Sequence, residues 1–183
     1  IVSILFIVYL LAVNFYAFIL VKSLKDKDGV KRCLDLLLRF CTGQNLFTYH
    51  NDWRNMGVTL KYIHCGKPPY QIDANMGFTS AVYESLLYST PKGVLDILPA
   101  LPAGLECGNV TNLYTQVGTS VSIKWDKSHA QVSLLAKNDT EITLSSRDYS
   151  TLLKSSVEAV PCGDGSYKIA LKGGKNETLD FTK

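Results

Sequence analysis

The stretch Val121-Ser122-Ile123-Lys124-Trp125-Asp126-Lys127-Ser128-His129-Ala130-Gln131-Val132-Ser133-Leu134-Leu135-Ala136 decides how the second half of this chain folds. Val121, Ile123 and Trp125 alternate with Ser122 and Lys124. Ala130, Val132, Leu134 and Ala136 alternate with Gln131 and Ser133. A period of two sends one set of side chains to a buried face and the other to water, which is the geometry of a strand. Asp126-Lys127-Ser128 between the two runs reads as a turn. The same period returns at Ile142 and Leu144, at Tyr167, Ile169 and Leu171, and at Leu179 and Phe181. Turn clusters separate these runs: Lys137-Asn138-Asp139, Cys162-Gly163-Asp164-Gly165 and Lys172-Gly173-Gly174-Lys175. Short strands at near-regular spacing predict an antiparallel sheet or sandwich.

Upstream the pattern changes. Ile1 to Val21 is an almost unbroken apolar run, followed by Lys22, Lys25 and Lys27. Its length and lack of charge suit a transmembrane helix with a basic flank. A helix buried on all sides in a helical domain has the same composition, and both readings stay open. Val30, Cys33, Leu34, Leu37, Leu38 and Cys41 form one apolar stripe at helical spacing, with Gly43 as its stop. Asn45 to Pro69 has no clean period and reads as a long loop, the kind that often carries function. Asn75 to Ser89 reads as helix, with Asp73 and Asn75 as candidate caps and Pro91 as terminator. The fold class expected is therefore α+β, with helices over residues 1–90 and a β-domain over 91–183.

The bulk numbers exclude some classes. The chain has 183 residues, 46% hydrophobic and 19% charged, and carries a net charge of +3. That composition supports packed cores rather than disorder. Its 19 basic residues are scattered, so no nucleic-acid partner is expected. The five cysteines, Cys33, Cys41, Cys65, Cys107 and Cys162, form no C-x-x-C pair. No metal or organic cofactor is expected. Three N-x-[ST] sequons, at Asn109, Asn138 and Asn176, fall in the β-rich half beside turn residues. They point to glycosylation and to a secreted or secretory-pathway protein.

The most specific string is Pro68-Pro69-Tyr70-Gln71-Ile72-Asp73-Ala74-Asn75-Met76-Gly77-Phe78-Thr79. It resembles a signature of glycoside hydrolase family ninety-five, close to P-P-F-Q-I-D-[GA]-N-F-G-x-T. Ser80 to Ser89 is similar to the family's A-A-x-x-E-M-L-x-Q-S helix, and Leu98-Pro99-Ala100-Leu101-Pro102 to its L-L-P-A-L-P. Gly108 through Trp125 resembles a family strand pair, and Asn45-Leu46-Phe47 with His50 resembles N-L-F-x-x-H. The resemblance runs roughly from Lys22 to Phe181. It implies the last helices of an (α/α) toroid barrel, followed by an antiparallel β-sandwich-like C-terminal domain. It also implies hydrolysis, with inversion, of terminal α-L-fucosyl linkages, or α-L-galactosyl ones in some members, so that a fucosylated glycan is the partner.

An inverting glycosidase needs an acid for the leaving oxygen and a base that activates water on the opposite face. In the family the acid is a Glu from an earlier barrel loop, so it lies upstream of this chain. Water-holding Asn side chains are also upstream, and an Asp polarises them. The motif match gives that role to Asp73, with Asn75, His50 and Gln71 as substrate contacts. Position alone gives Asp73 and Asn75 a plainer part as helix caps, and leaves His50 a solvated loop histidine. Trp125 reads as core packing. Asn51 to Lys67 has no family counterpart, and Ile1 to Val21 is more apolar than the family's barrel helix. The competing class is a membrane-anchored, glycosylated, non-enzymatic β-domain that binds sugars or a protein partner.

Overall fold

The computed structural model describes residues 26–36, 38–39, 42–44, 46–47 and 72–183, with backbone alone at 36, 73 and 74. The expectations for Ile1–Val21, Asn51–Lys67, His50 and Gln71 lie outside the described residues. The chain divides into two compact units between Tyr83 and Glu84.

In the first unit, helix α1 (Lys27–Leu36) begins on a side-chain cap. Asp26 Oδ1 accepts from Gly29 N at 3.0 Å, and the Asp26 carbonyl accepts from Val30 N at 3.0 Å. Together they satisfy donors that a helix start leaves unpaired. Val30 is buried, and Cys33 and Leu34 are half-buried, as the apolar stripe requires. The stripe does not extend to Leu38, which is 50% exposed. The α-helix ends at Leu36, and past that point the 3.6-residue phase no longer sets which side chain faces inward.

Helix α2 (Ile72–Leu86) is followed at once by strand β1 (Leu87–Ser89). The helix expected to Ser89 therefore stops a turn early. Leu87–Ser89 pairs antiparallel with β2 (Val94–Ile97), and Thr90 N donates to Val94 O at 3.0 Å across the turn. Gly93 makes that turn with φ at +82°, and a Cβ there would fall 2.8 Å from the Glu141 carbonyl oxygen. Tertiary pairing overrides helical propensity here.

The remaining strands are β3 (Gly108–Tyr114), β4 (Thr119–Trp125), β5 (His129–Ala136), β6 (Thr140–Ser145), β7 (Thr151–Ser155), β8 (Ala159–Pro161), β9 (Ser166–Leu171) and β10 (Asn176–Thr182). They form two five-stranded sheets, ordered β1-β2-β6-β9-β8 and β3-β4-β5-β10-β7. Val121, Ile123, Trp125, Val132, Leu134, Leu179 and Phe181 of the second sheet are buried. So are Leu95, Ile97, Ile142, Leu144, Ile169 and Leu171 of the first. Each such side chain stabilises the fold by roughly 1.5–3 kcal/mol through removal from water. Tyr167 on β9 meets Phe181 on β10 with ring centroids 6.0 Å apart, joining the sheets as a sandwich.

One pairing departs from the expected antiparallel order. β2 and β6 run parallel, with Leu95 opposite Leu144. The link between them is the whole β3-β4-β5 meander of the other sheet, long enough to reverse the strand direction.

Trp125 is core packing, as its place in the alternation predicts. Its indole N–H donates to the Leu105 carbonyl at 2.8 Å. Its ring lies over Gly108, its partner on β3, where a Cβ would sit 2.4 Å from ring carbon. Only glycine leaves room for the indole on that strand.

Candidate functional site

Helix α2 brings together two motifs far apart in sequence. Asn75 Nδ2 donates to the Leu46 carbonyl oxygen at 3.2 Å. Leu46 sits in a tight turn, where Gly43 N donates to Phe47 O at 2.9 Å and Leu46 N to Gly43 O at 2.9 Å. Leu46 holds φ at +62°, a strained value for a branched side chain that the turn's hydrogen bonds offset. Thr79 Oγ1 donates back to Asn75 O at 3.1 Å, anchoring the same residue from the next helical turn.

Asn75 is therefore not the cap it resembled. α2 begins at Ile72, so Asn75 lies inside the first turn and its carboxamide ties that turn to the Leu46 loop. Asp73 occupies the first turn as well, and its side chain lies outside the described residues. Ile72 and Met76, one turn apart, are 60% and 65% exposed. The Leu46-Phe47 and Ile72–Thr79 segments thus converge through Asn75, while His50 and Gln71 lie outside the described residues.

The sandwich carries a second feature, not anticipated from sequence. Asn109, Lys124, Gln131, Asp180 and Lys154 stand in register across β3, β4, β5, β10 and β7. The last four help line a shallow cavity of about 510 Å³ on the outer face of the second sheet. Gln131 Nε2 donates to Asp180 Oδ1 at 2.9 Å, fixing the middle of the row. Leu153 sits at a bulge in β7 and is 57% exposed. Beside the row, at the strand ends, Asp126 closes the β4–β5 turn. Its Oδ1 accepts from Ser128 N at 2.7 Å and His129 N at 2.8 Å. Those backbone donors, with the Ser128 hydroxyl, hold its carboxyl down at about 2. The row offers hydrogen-bond donors and acceptors. Alternation marks these residues only as solvent-facing, and their alignment depends on long-range register.

Parts of the chain are similar to known proteins. The glycoside hydrolase family 95 C-terminal domain profile fits residues 90–179. A stretch of 76 residues is 52% identical to "Alpha-L-fucosidase 2" of Arabidopsis thaliana, covering 41% of this chain and 9% of that relative. A GH127 β-L-arabinofuranosidase from Geobacillus stearothermophilus T6 superposes on 94% of this chain and 31% of its own, at 14% identity. Its TM-score of 0.37 is too low to bear on the fold. The sandwich thus corresponds to a glycoside hydrolase C-terminal domain. Residues 90–179 belong to the C-terminal domain of glycoside hydrolase family 95.

Proposed function

We propose that this chain is the C-terminal part of an inverting glycoside hydrolase that releases terminal α-L-fucose, or α-L-galactose, from glycans. Residues 1–90 supply the last helices and a site loop of a helical toroid, and residues 91–183 the β-domain. The observation that carries the reading is the family 95 C-terminal match over residues 90–179. The 52% identity to an α-L-fucosidase of Arabidopsis thaliana supports the sugar.

In this reading the chain supplies one group to the chemistry. Asp73, as a carboxylate, accepts a hydrogen bond from an Asn amide contributed by another part of the barrel. That makes the amide oxygen a stronger acceptor for a proton of the attacking water. Asn75 keeps the first turn of α2 against the Leu46 loop, and with His50 and Gln71 borders the sugar. The general acid, a Glu, comes from upstream, so the 183-residue chain alone releases no sugar.

Asp73→Asn in the full-length protein is the test, assayed on an aryl α-L-fucoside. The amide keeps the shape but loses the charge. We expect kcat to fall by about 10²–10⁴ with KM little changed. Activity equal to the parent's removes Asp73 from the mechanism. Fucose release by the 183-residue chain on its own removes the upstream acid.

A further inference from the structure

We propose that Asn109, Asn138 and Asn176 carry N-linked glycans, and that these make the outer face of the second sheet a sugar-covered solvent face. Five asparagines lie among the described residues: Asn75, Asn109, Asn112, Asn138 and Asn176. The fold uses the side chains of the two that are not in sequons. Asn75 Nδ2 donates to Leu46 O at 3.2 Å, and Asn112 Oδ1 accepts from Ser120 Oγ at 3.4 Å. The three sequon asparagines are all exposed, and no hydrogen bond among the described residues engages their side chains. A carboxamide that holds nothing and points to water is free to be substituted at nitrogen.

Their placement is not scattered. Asn109 is in register with outward-facing Lys124, and Asn176 with exposed Leu135, so both stand on the outer face of the second sheet, at opposite ends. Asn138 lies in the turn after β5. There Gly173 N donates to Asp139 Oδ1 at 2.9 Å and Gly174 N to Ala136 O at 2.9 Å, bringing the turn before Asn176 alongside. Between the ends, the face is largely Ser122, Ser133, Thr178 and Gln131. These side chains can hydrogen-bond a saccharide lying on them. Asn109 also sits on β3, an edge strand, whose open backbone groups would otherwise invite another strand.

The modification draws its sugar from a lipid-pyrophosphate-linked oligosaccharide in the secretory pathway. The asparagine nitrogen bonds to the anomeric carbon and loses a proton to a base. The bond from that carbon to the pyrophosphate oxygen breaks, and the lipid pyrophosphate leaves with the electron pair. The inference stands whether or not the chain belongs to a fucosidase.

The test is to make the chain behind a cleavable leader in a secretory eukaryotic host, then treat it with a peptide-N-glycan amidase in heavy-oxygen water. Each glycan-bearing Asn then becomes a heavy Asp. Peptide mapping is expected to find the label at Asn109, Asn138 and Asn176, and at neither Asn75 nor Asn112. An unlabelled Asn109 or Asn176 overturns the sugar-covered face. In a second arm, the sugar-free chain from bacteria is compared with its N109Q/N138Q/N176Q variant. Equal melting temperatures are expected, because the carboxamides support nothing. A clear drop would mean that they are structural, and would overturn the argument.

Discussion

The two sheets of the sandwich reach the same core by different routes. In the second sheet, β3, β4 and β5 follow one another through short turns, and every pairing in it is antiparallel. Its central strands alternate cleanly between buried and exposed. In the first sheet, β2 joins β6 only after the chain has built three strands elsewhere, and the pair is parallel. β2 has Leu95, Asp96 and Ile97 all buried, so no alternation marks it. Asp96 is accommodated by a 3.2 Å bond from the Ser145 hydroxyl on β6. Strands formed from neighbouring sequence carry their signal locally, whereas strands assembled across a long connection do not.

The sharpest probe of that contrast pairs two core truncations, Leu134→Ala in the second sheet and Leu144→Ala in the first. Both side chains are fully buried. Each is expected to cost about 2–5 kcal/mol in urea unfolding. One transition with both probes coincident means that the sheets unfold as a single core. If Leu144→Ala instead splits the transition, the locally built sheet stands without the other.

Gly108→Ala comes next. The methyl would collide with the Trp125 ring and push it off its site. A loss of roughly 1–3 kcal/mol is expected, with a shift in tryptophan fluorescence as the indole leaves its bond to Leu105 O. An unshifted spectrum would show that β3 gives way instead of the ring.

The smallest effect lies at the turn that makes the second sheet's central hairpin. Asp126 has its folded-state carboxyl at about 2, below its ordinary 3.8, so it contributes stability that is present above 3.8 and lost as pH falls through about 2. Asp126→Asn should flatten that part of the acid-unfolding profile and lower stability slightly at neutral pH, where the charge contributes. A variant whose acid profile overlays the parent's would show that the backbone alone holds the turn.

Much of the second sheet could be read from residues. Val121 to Trp125 and Ala130 to Ala136 gave their strands, and Asp126-Lys127-Ser128 its turn, because side-chain direction alternates within a single strand. The motif around Asp73 was equally visible as a string. What joined it to anything was not. Asn75 looked like a cap because caps and first-turn residues share their preferences. That its carboxamide instead reaches Leu46 O depends on the turn that presents that carbonyl. β1 reads in sequence as the end of a helix, since Leu87-Tyr88-Ser89 has no period of its own and becomes a strand only when β2 lies beside it.

Sequence by itself determined where the alternating strands and their turns lie, which face of each strand is wet, and that three asparagines sit in sequons. It also marked residues 68–79 as the string with the most specific chemistry. Tertiary structure alone decided that β2 and β6 run parallel, that Asn109, Lys124, Gln131, Asp180 and Lys154 share one row, and that the sequon asparagines are the ones the fold leaves unused. Periodicity is fixed by the local geometry of the backbone. Register and partnership depend on which distant surfaces can close their loops and exclude water together.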